Sequence, residues 1–284
     1  MAALFGPAGW GNSFYESAYK GSLDVPDYIE KMKLDAFEYQ CGRGVNVGEE
    51  KARQFGAKAA DKNIKNSLHA PYYISMSSVD EEKRLNSVNY ILQSARAVDF
   101  MGGNRIVVHT GSCGKLERSE ALNLAIDTMK LSLAALDSEG LGHIHICPET
   151  MGKINQLGNL DEVMSLCEID ERLIPCIDFG HLNARTLGKF NSSEAFEFVL
   201  QTIRDRLGEY RMKHFHSHFS KIEYTQGGEK KHLTFEDTIY GPQFEPLMDL
   251  LLKYGCEPTI ICESDGTQAE DAFSMKKYYS ERIR

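Results

Sequence analysis

The chain has 284 residues, 42% hydrophobic and 26% charged, which suits a globular protein with a sizeable core. A net charge of −9 argues against broad, non-specific nucleic-acid binding, because phosphate contacts draw on Lys and Arg. It leaves room for carboxylates gathered around divalent metals, whose charge would offset theirs. Seven scattered cysteines include no C-x-x-C pair, and no apolar run approaches the roughly 18 residues of a membrane span. The start, MAALFGPAGWGNSF, lacks a basic segment followed by a long apolar one. The expectation is a reduced, cytoplasmic protein with no membrane association.

Short apolar runs alternate with longer helical patterns along the chain. Strands are predicted at 3–5, 36–39, 65–69, 105–109, 144–149, 173–178, 212–218 and 259–263. A helix at 27–32 follows the first strand, with Pro26 near its start, and another spans 50–61. The segment 80–100 has Asp80 as N-cap and Val88, Ile91, Leu92 and Ala95 at helical spacing. The segment 119–136 repeats the pattern with Leu122, Ala125, Ile126 and Met129. Further helices are predicted at 160–167, 193–206, 243–254 and 267–282. Strand–helix alternation points to a parallel sheet, and eight such units point to one α/β domain over 1–284, a (β/α)8 TIM barrel. The alternative, an open doubly wound sheet, would carry G-x-G-x-x-G after its first strand; GPAGWG has different spacing.

In a barrel enzyme the site lies at the carboxyl ends of the strands. There the sequence places His69, His109, Glu149, Asp178 with His181 just beyond, His216 with His232 in the next loop, and Glu263. A lone histidine or acid at a strand end is usually a hydrogen-bonded core residue or a helix cap. Six consecutive strands ending this way are different, because buried carboxylates repel one another unless cations hold them. Mixed imidazole and carboxylate donors suit zinc, manganese or iron. Their number exceeds the three or four that one zinc needs, which favours a multinuclear site. Two metals suit phosphate-ester hydrolysis, whereas one would suit proton transfer on a sugar carbonyl.

SLHAPY, IVVHTGS, PETMG, CIDFGHLNA, HSHFSK, KKHL and ICES, in this order, resemble the endonuclease IV family of abasic-site DNA repair enzymes, within the wider xylose-isomerase-like barrels. The resemblance runs from FGPAG to at least Glu263 and implies two or three Zn2+ ions, with Mn2+ as an alternative. His69, His109 and Glu149 would hold the first ion. Glu149, Asp178, His216 and Glu263 would hold the second, and His181 and His232 would belong to the third. The family's third position also uses an aspartate two residues before the second histidine. Here Lys230 stands there, in GGEKKHL, and a protonated lysine cannot ligate; Glu229 would substitute if the loop shifts.

The implied activity is cleavage of the DNA backbone 5′ to abasic sites, in base excision repair. Glu149 would bridge two metals and Glu263 would orient the attacking water. Tyr72 would stack beside a flipped nucleotide, and Arg43 and Lys221 would contact phosphates. The implied partner is double-stranded DNA, bound by a monomer. His143, His145, His214 and His218 share strand parity with site residues and are expected to be interior or ligand-orienting groups. A sugar isomerase or epimerase would use Glu149, Asp178, His216 and Glu263 alone. A metal-stabilised binding protein without chemistry would keep the same donors.

Overall fold

The computed structural model describes residues 2–283. Eight parallel strands form its centre: β1 (Leu4–Pro7), β2 (Ala36–Gln40), β3 (Lys65–His69), β4 (Arg105–Val108), β5 (His145–Pro148), β6 (Cys176–Asp178), β7 (His216–Phe219) and, last along the chain, β10 (Thr259–Cys262). They pair in two arcs, β2-β3-β4-β5 and β1-β10-β7-β6. Parallel bridges Ala8–Glu38, Ile146–Leu173 and Glu149–Cys176 join the arcs, so the ring closes as a (β/α)8 barrel.

The helices are α1 (Asn12–Glu16), α2 (Val25–Lys31), α3 (Glu49–Asp61), α4 (Glu81–Phe100), α5 (Arg118–Ser138), α6 (Leu160–Cys167), α7 (Phe179–Arg185), α8 (Ser193–Leu207), α9 (Glu209–Lys213), α10 (Glu245–Tyr254) and α11 (Gln268–Ser280). Asp80 caps α4 as expected, accepting from the Glu82 and Lys83 amides. Two differences from the predicted pattern bear on the site. The alternation Met212, His214, His216, His218 suggests one long strand. Its first part is instead helix α9, held by a Glu209–Lys213 ion pair one turn apart, so β7 begins at His216. The polar stretch after β7 is not a plain loop but an antiparallel hairpin, β8 (Lys221–Thr225) and β9 (Gly228–Leu233).

The main core lies between barrel and helices, where Phe37, Leu68, Ile106, Ile146, Ile177 and Ile260 meet Phe55, Ile91, Met129, Leu166, Leu200 and Leu251. Val107, Cys147, Ile174 and Cys176 form a separate small cluster, and Ala8, Ala36 and Ile261 another. Their parity is that of the strand-end residues: Val107 with His109, Cys147 with Glu149, Cys176 with Asp178. They therefore line the barrel interior. Glu38, Ser67, His216 and His218 are buried with them, polar side chains where branched apolar ones usually pack. All seven cysteines are buried and free, and no helix among the described residues is long and apolar enough to cross a membrane.

Candidate metal centre

Each strand-end donor is set by the ladder beneath it. The Ala70 amide bonds the Val107 carbonyl, Glu149 that of Val108, Thr150 that of Cys176, and Glu263 that of Phe219. The β ladder thus continues past β3, β5 and β10 and aims their side chains at one mouth.

Three donor groups meet there, each with ligand atoms within 4.8 Å of one another. The first is His69, His109 and Glu149. His69 Nδ1 donates to its neighbour's carbonyl, Ala70 O, at 2.9 Å, which leaves the Nε2 lone pair facing Glu149 Oε2 at 3.5 Å. His109 Nε2 stands 3.0 Å from the same oxygen. The second group is Glu149, Asp178, His218 and Glu263. Asp178 caps α7 through Oδ1, which accepts the His181 amide at 2.8 Å. His218 Nδ1 lies 3.0 Å from Glu149 Oε1 and 3.4 Å from Glu263 Oε1. The third group is His181, Glu229 and His232. His181 Nδ1 donates to Thr150 O at 2.9 Å, leaving Nε2 3.3 Å from Glu229 Oε2. His232 Nδ1 bonds Ser220 Oγ at 2.8 Å. A cavity of about 410 Å³ opens above them, lined by Tyr72, Lys153 and Gln156 and by the donors His69, His109, His181, Glu229, His232 and Glu263.

The donors fit divalent ions on a direct observation. Glu149 Oε2 and Asp178 Oδ2 are buried and accept no well-formed hydrogen bond, although imidazole nitrogens stand 3.0 and 3.1 Å away. Such atoms converge on a point rather than on each other. Without a cation the electrostatics are divided. Burial works against the Glu149 carboxylate, but the charge on His218 and the nearby His109 and His181 imidazoles hold its pKa well below the usual range. Burial pushes Asp178 up to about 6, with His181 opposing. Burial lowers His109, whereas His181 rises well above normal, burial being outweighed by Asp178 and Glu149.

Several sequence expectations are corrected. His216 does not join Glu149, Asp178 and Glu263; His218 does. With β7 starting at His216, that residue pairs in register with Cys176, and His218 pairs with Asp178. Two residues of strand put His216 about 6–7 Å deeper, where its Nε2 bonds Glu38 Oε2 at 2.9 Å. In the third group the acid is Glu229, the substitute that the sequence offered, while Lys230 pairs with Glu223 at 2.6 Å. Lys221 does not line the cavity; it is buried, its ammonium donating to the Phe235 and Asp237 carbonyls.

Tyr72 lies at the mouth, 58% exposed, stacked on His109 at 5.2 Å between ring centroids. Tyr73 is exposed beside it against Tyr90, and Arg43 is exposed on the loop after β2. His143 pairs with Asp99, and His145 bonds the Arg172 carbonyl; with His214 they sit at the amino ends of the strands, away from the donors. Glu38 was not legible as a site residue. Its one signal is an acid in the middle of the strand AFEYQ, on the inward parity.

Glycines shape the third group. A Cβ at Gly152 would stand 2.6 Å from Glu229 Cβ and 2.8 Å from His181 Cδ2. The Glu229 amide bonds Gly152 O, and the Ile154 amide bonds Gly227 O, which ties the hairpin to the loop after β5.

A family model described as "Xylose isomerase-like TIM barrel" matches residues 26–279. An uncharacterized protein of Methanocaldococcus jannaschii is 32% identical over 252 residues, 89% of this chain and 90% of that one. A probable endonuclease 4 of Mycoplasma pneumoniae is 29% identical over 159 residues, 54% of this chain and 52% of that protein, so the match spans about half of each. Among solved structures, a D-tagatose 3-epimerase-like protein aligns with TM-score 0.72 at 20% identity, covering 98% of this chain and 97% of that one. Endonuclease IV of Thermus thermophilus aligns with TM-score 0.67 at 16% identity, covering 98% and 99%. At these identities the structural likenesses establish the fold alone.

Proposed function

The chain belongs to the xylose isomerase-like TIM barrel family, and from that premise we propose that it is a metal-dependent phosphodiesterase cleaving the DNA backbone 5′ to abasic sites. The observation that carries this reading is the number of donors. Three groups share one mouth, and Glu149 belongs to two of them. A sugar epimerase on this barrel needs only the group of Glu149, Asp178, His218 and Glu263. It gives no role to His69, His109, His181, Glu229 or His232. The likeness to proteins named probable endonuclease 4 supports the same choice.

Divalent ions, zinc or manganese, would be held by the three groups and would supply Lewis acidity at the phosphoryl oxygens and a nucleophile usable near neutral pH. The chain's residues do the rest. Glu149 offers one oxygen to each of two groups and sets their separation. Glu263, half-buried at the rim, reaches the cavity and orients the attacking water. Tyr72 offers an exposed ring over the cavity for a base or the gap left by one. Arg43 contributes a phosphate contact, and the protein acts as a monomer.

A duplex carrying one abasic site, incubated with metal-replete protein, is expected to be nicked 5′ to the lesion, and chelation should stop the reaction. An intact duplex, together with C3 epimerisation of a ketose by the same preparation, would move the assignment to the epimerase reading.

A further inference from the structure

We infer that Glu38 is a positioning residue that fixes the His218 imidazole as a metal ligand from inside the barrel. This rests on the metal-dependent reading of the site. Glu38 is fully buried beneath the mouth. Its Oε2 accepts from Ser67 Oγ and from His216 Nε2, both at 2.9 Å, and its Oε1 accepts from Gln40 Nε2 at 3.4 Å. His218 Nε2 stands 2.9 Å from Oε1, off the ideal hydrogen-bond line.

A buried carboxylate with imidazole partners is no better for stability than well-packed apolar side chains, which usually fill such interiors. Its particular effect is on the tautomer. An ionised carboxylate only accepts, so the ring nitrogen facing it must carry the hydrogen. His218 faces carboxylates through both nitrogens, Nε2 toward Glu38 and Nδ1 hydrogen-bonded to Glu149 Oε1 at 3.0 Å, so with a cation in place of the Nδ1 hydrogen the Glu38 contact keeps the remaining hydrogen on Nε2 and leaves the Nδ1 lone pair for the ion. The same contact holds His216 with Nε2–H inward. One carboxylate thereby sets two neighbouring rings on β7, of which only the upper reaches the donor group. Orienting partners of this kind typically change metal affinity by about 10–100-fold.

Glu38→Gln tests this, because the amide keeps the shape but can donate and so permits the other tautomer. Wild type and variant are titrated with Co2+, following the ligand-field absorption and counting ions per chain. The variant is expected to bind one ion about 10–100-fold more weakly, with an altered band, while ions at the other groups keep wild-type affinity and the metal-free chains melt alike. Ser67→Ala, which removes one support but leaves the carboxylate, is expected to give a smaller loss in the same ion and keeps the test open should Glu38→Gln fail to fold. Wild-type affinity and spectrum in the variants would overturn the assignment of Glu38 alone. A wild-type chain that takes up no Co2+ would overturn the metal-dependent reading and this inference with it.

Discussion

The first and third donor groups are built from different material. His69 ends β3, and His109 and Glu149 directly follow β4 and β5; the three adjacent strands are locked in register by the barrel ladder. His181 comes from the first turn of α7, while Glu229 and His232 come from β9 of a hairpin outside the barrel sheet. The first group has a buried histidine and a buried glutamate, and two of the three donors in the third are half-buried. Strand ends are fixed by the whole ring, whereas the hairpin is fixed by its own pairing, its packing against α7 and its seam to the loop after β5. Affinity should therefore fall from the first group to the third.

The strongest way to break the comparison is at the residue common to two groups. Glu149→Ala should remove two ions and lower activity by roughly 10³-fold or more. Elemental analysis still finding the wild-type number of ions would contradict the shared role. A narrower change sharpens it: Glu229→Gln should lose the third ion alone, and Lys230→Asp should leave the count unchanged because Lys230 faces Glu223. A rise in stoichiometry in Lys230→Asp would show that the hairpin moves to present that position.

The smallest expected effect is on stability, and it concerns the support behind the loop after β5. Glu162 accepts from Arg118 at 2.7 Å and from the Gly158 and Asn159 amides. Burial acts against its charge, but these bonds hold its pKa below the ordinary value. A lowered folded-state pKa gives stability that is present above the unfolded carboxylate pKa and lost as pH falls through the folded one. Glu162→Gln should cost about 1.5–3 kcal/mol at neutral pH, and denaturation curves of the two proteins should converge under acid. A constant difference across that range would remove the charge from the explanation.

The barrel and the strand-end position of most candidate donors were legible because six of the eight apolar runs stop at an acid or imidazole, where periodicity ends and chemistry begins. Glu38 was not, since it sits mid-strand and terminates nothing. The choice between His216 and His218 was not legible either. Both have inward parity, and which of them reaches the mouth depends on where β7 starts, which helix α9 decides. The polar GGEKKHL has no alternation from which to read a strand, so the supply of Glu229 to the third group depends on a hairpin that its sequence does not announce.

The missing side chain at Gly152 has a consequence for how this surface tolerates change. Position 152 is open to its own loop but closed by the β8–β9 hairpin and by α7, so a methyl there would be a wedge between an imidazole and a carboxylate. Drift in the loop after β5 is thus policed by residues far along the chain, down to the turn of the hairpin itself, where Gly227 O takes the Ile154 amide and a Cβ at Gly228 would collide with Gly152 O.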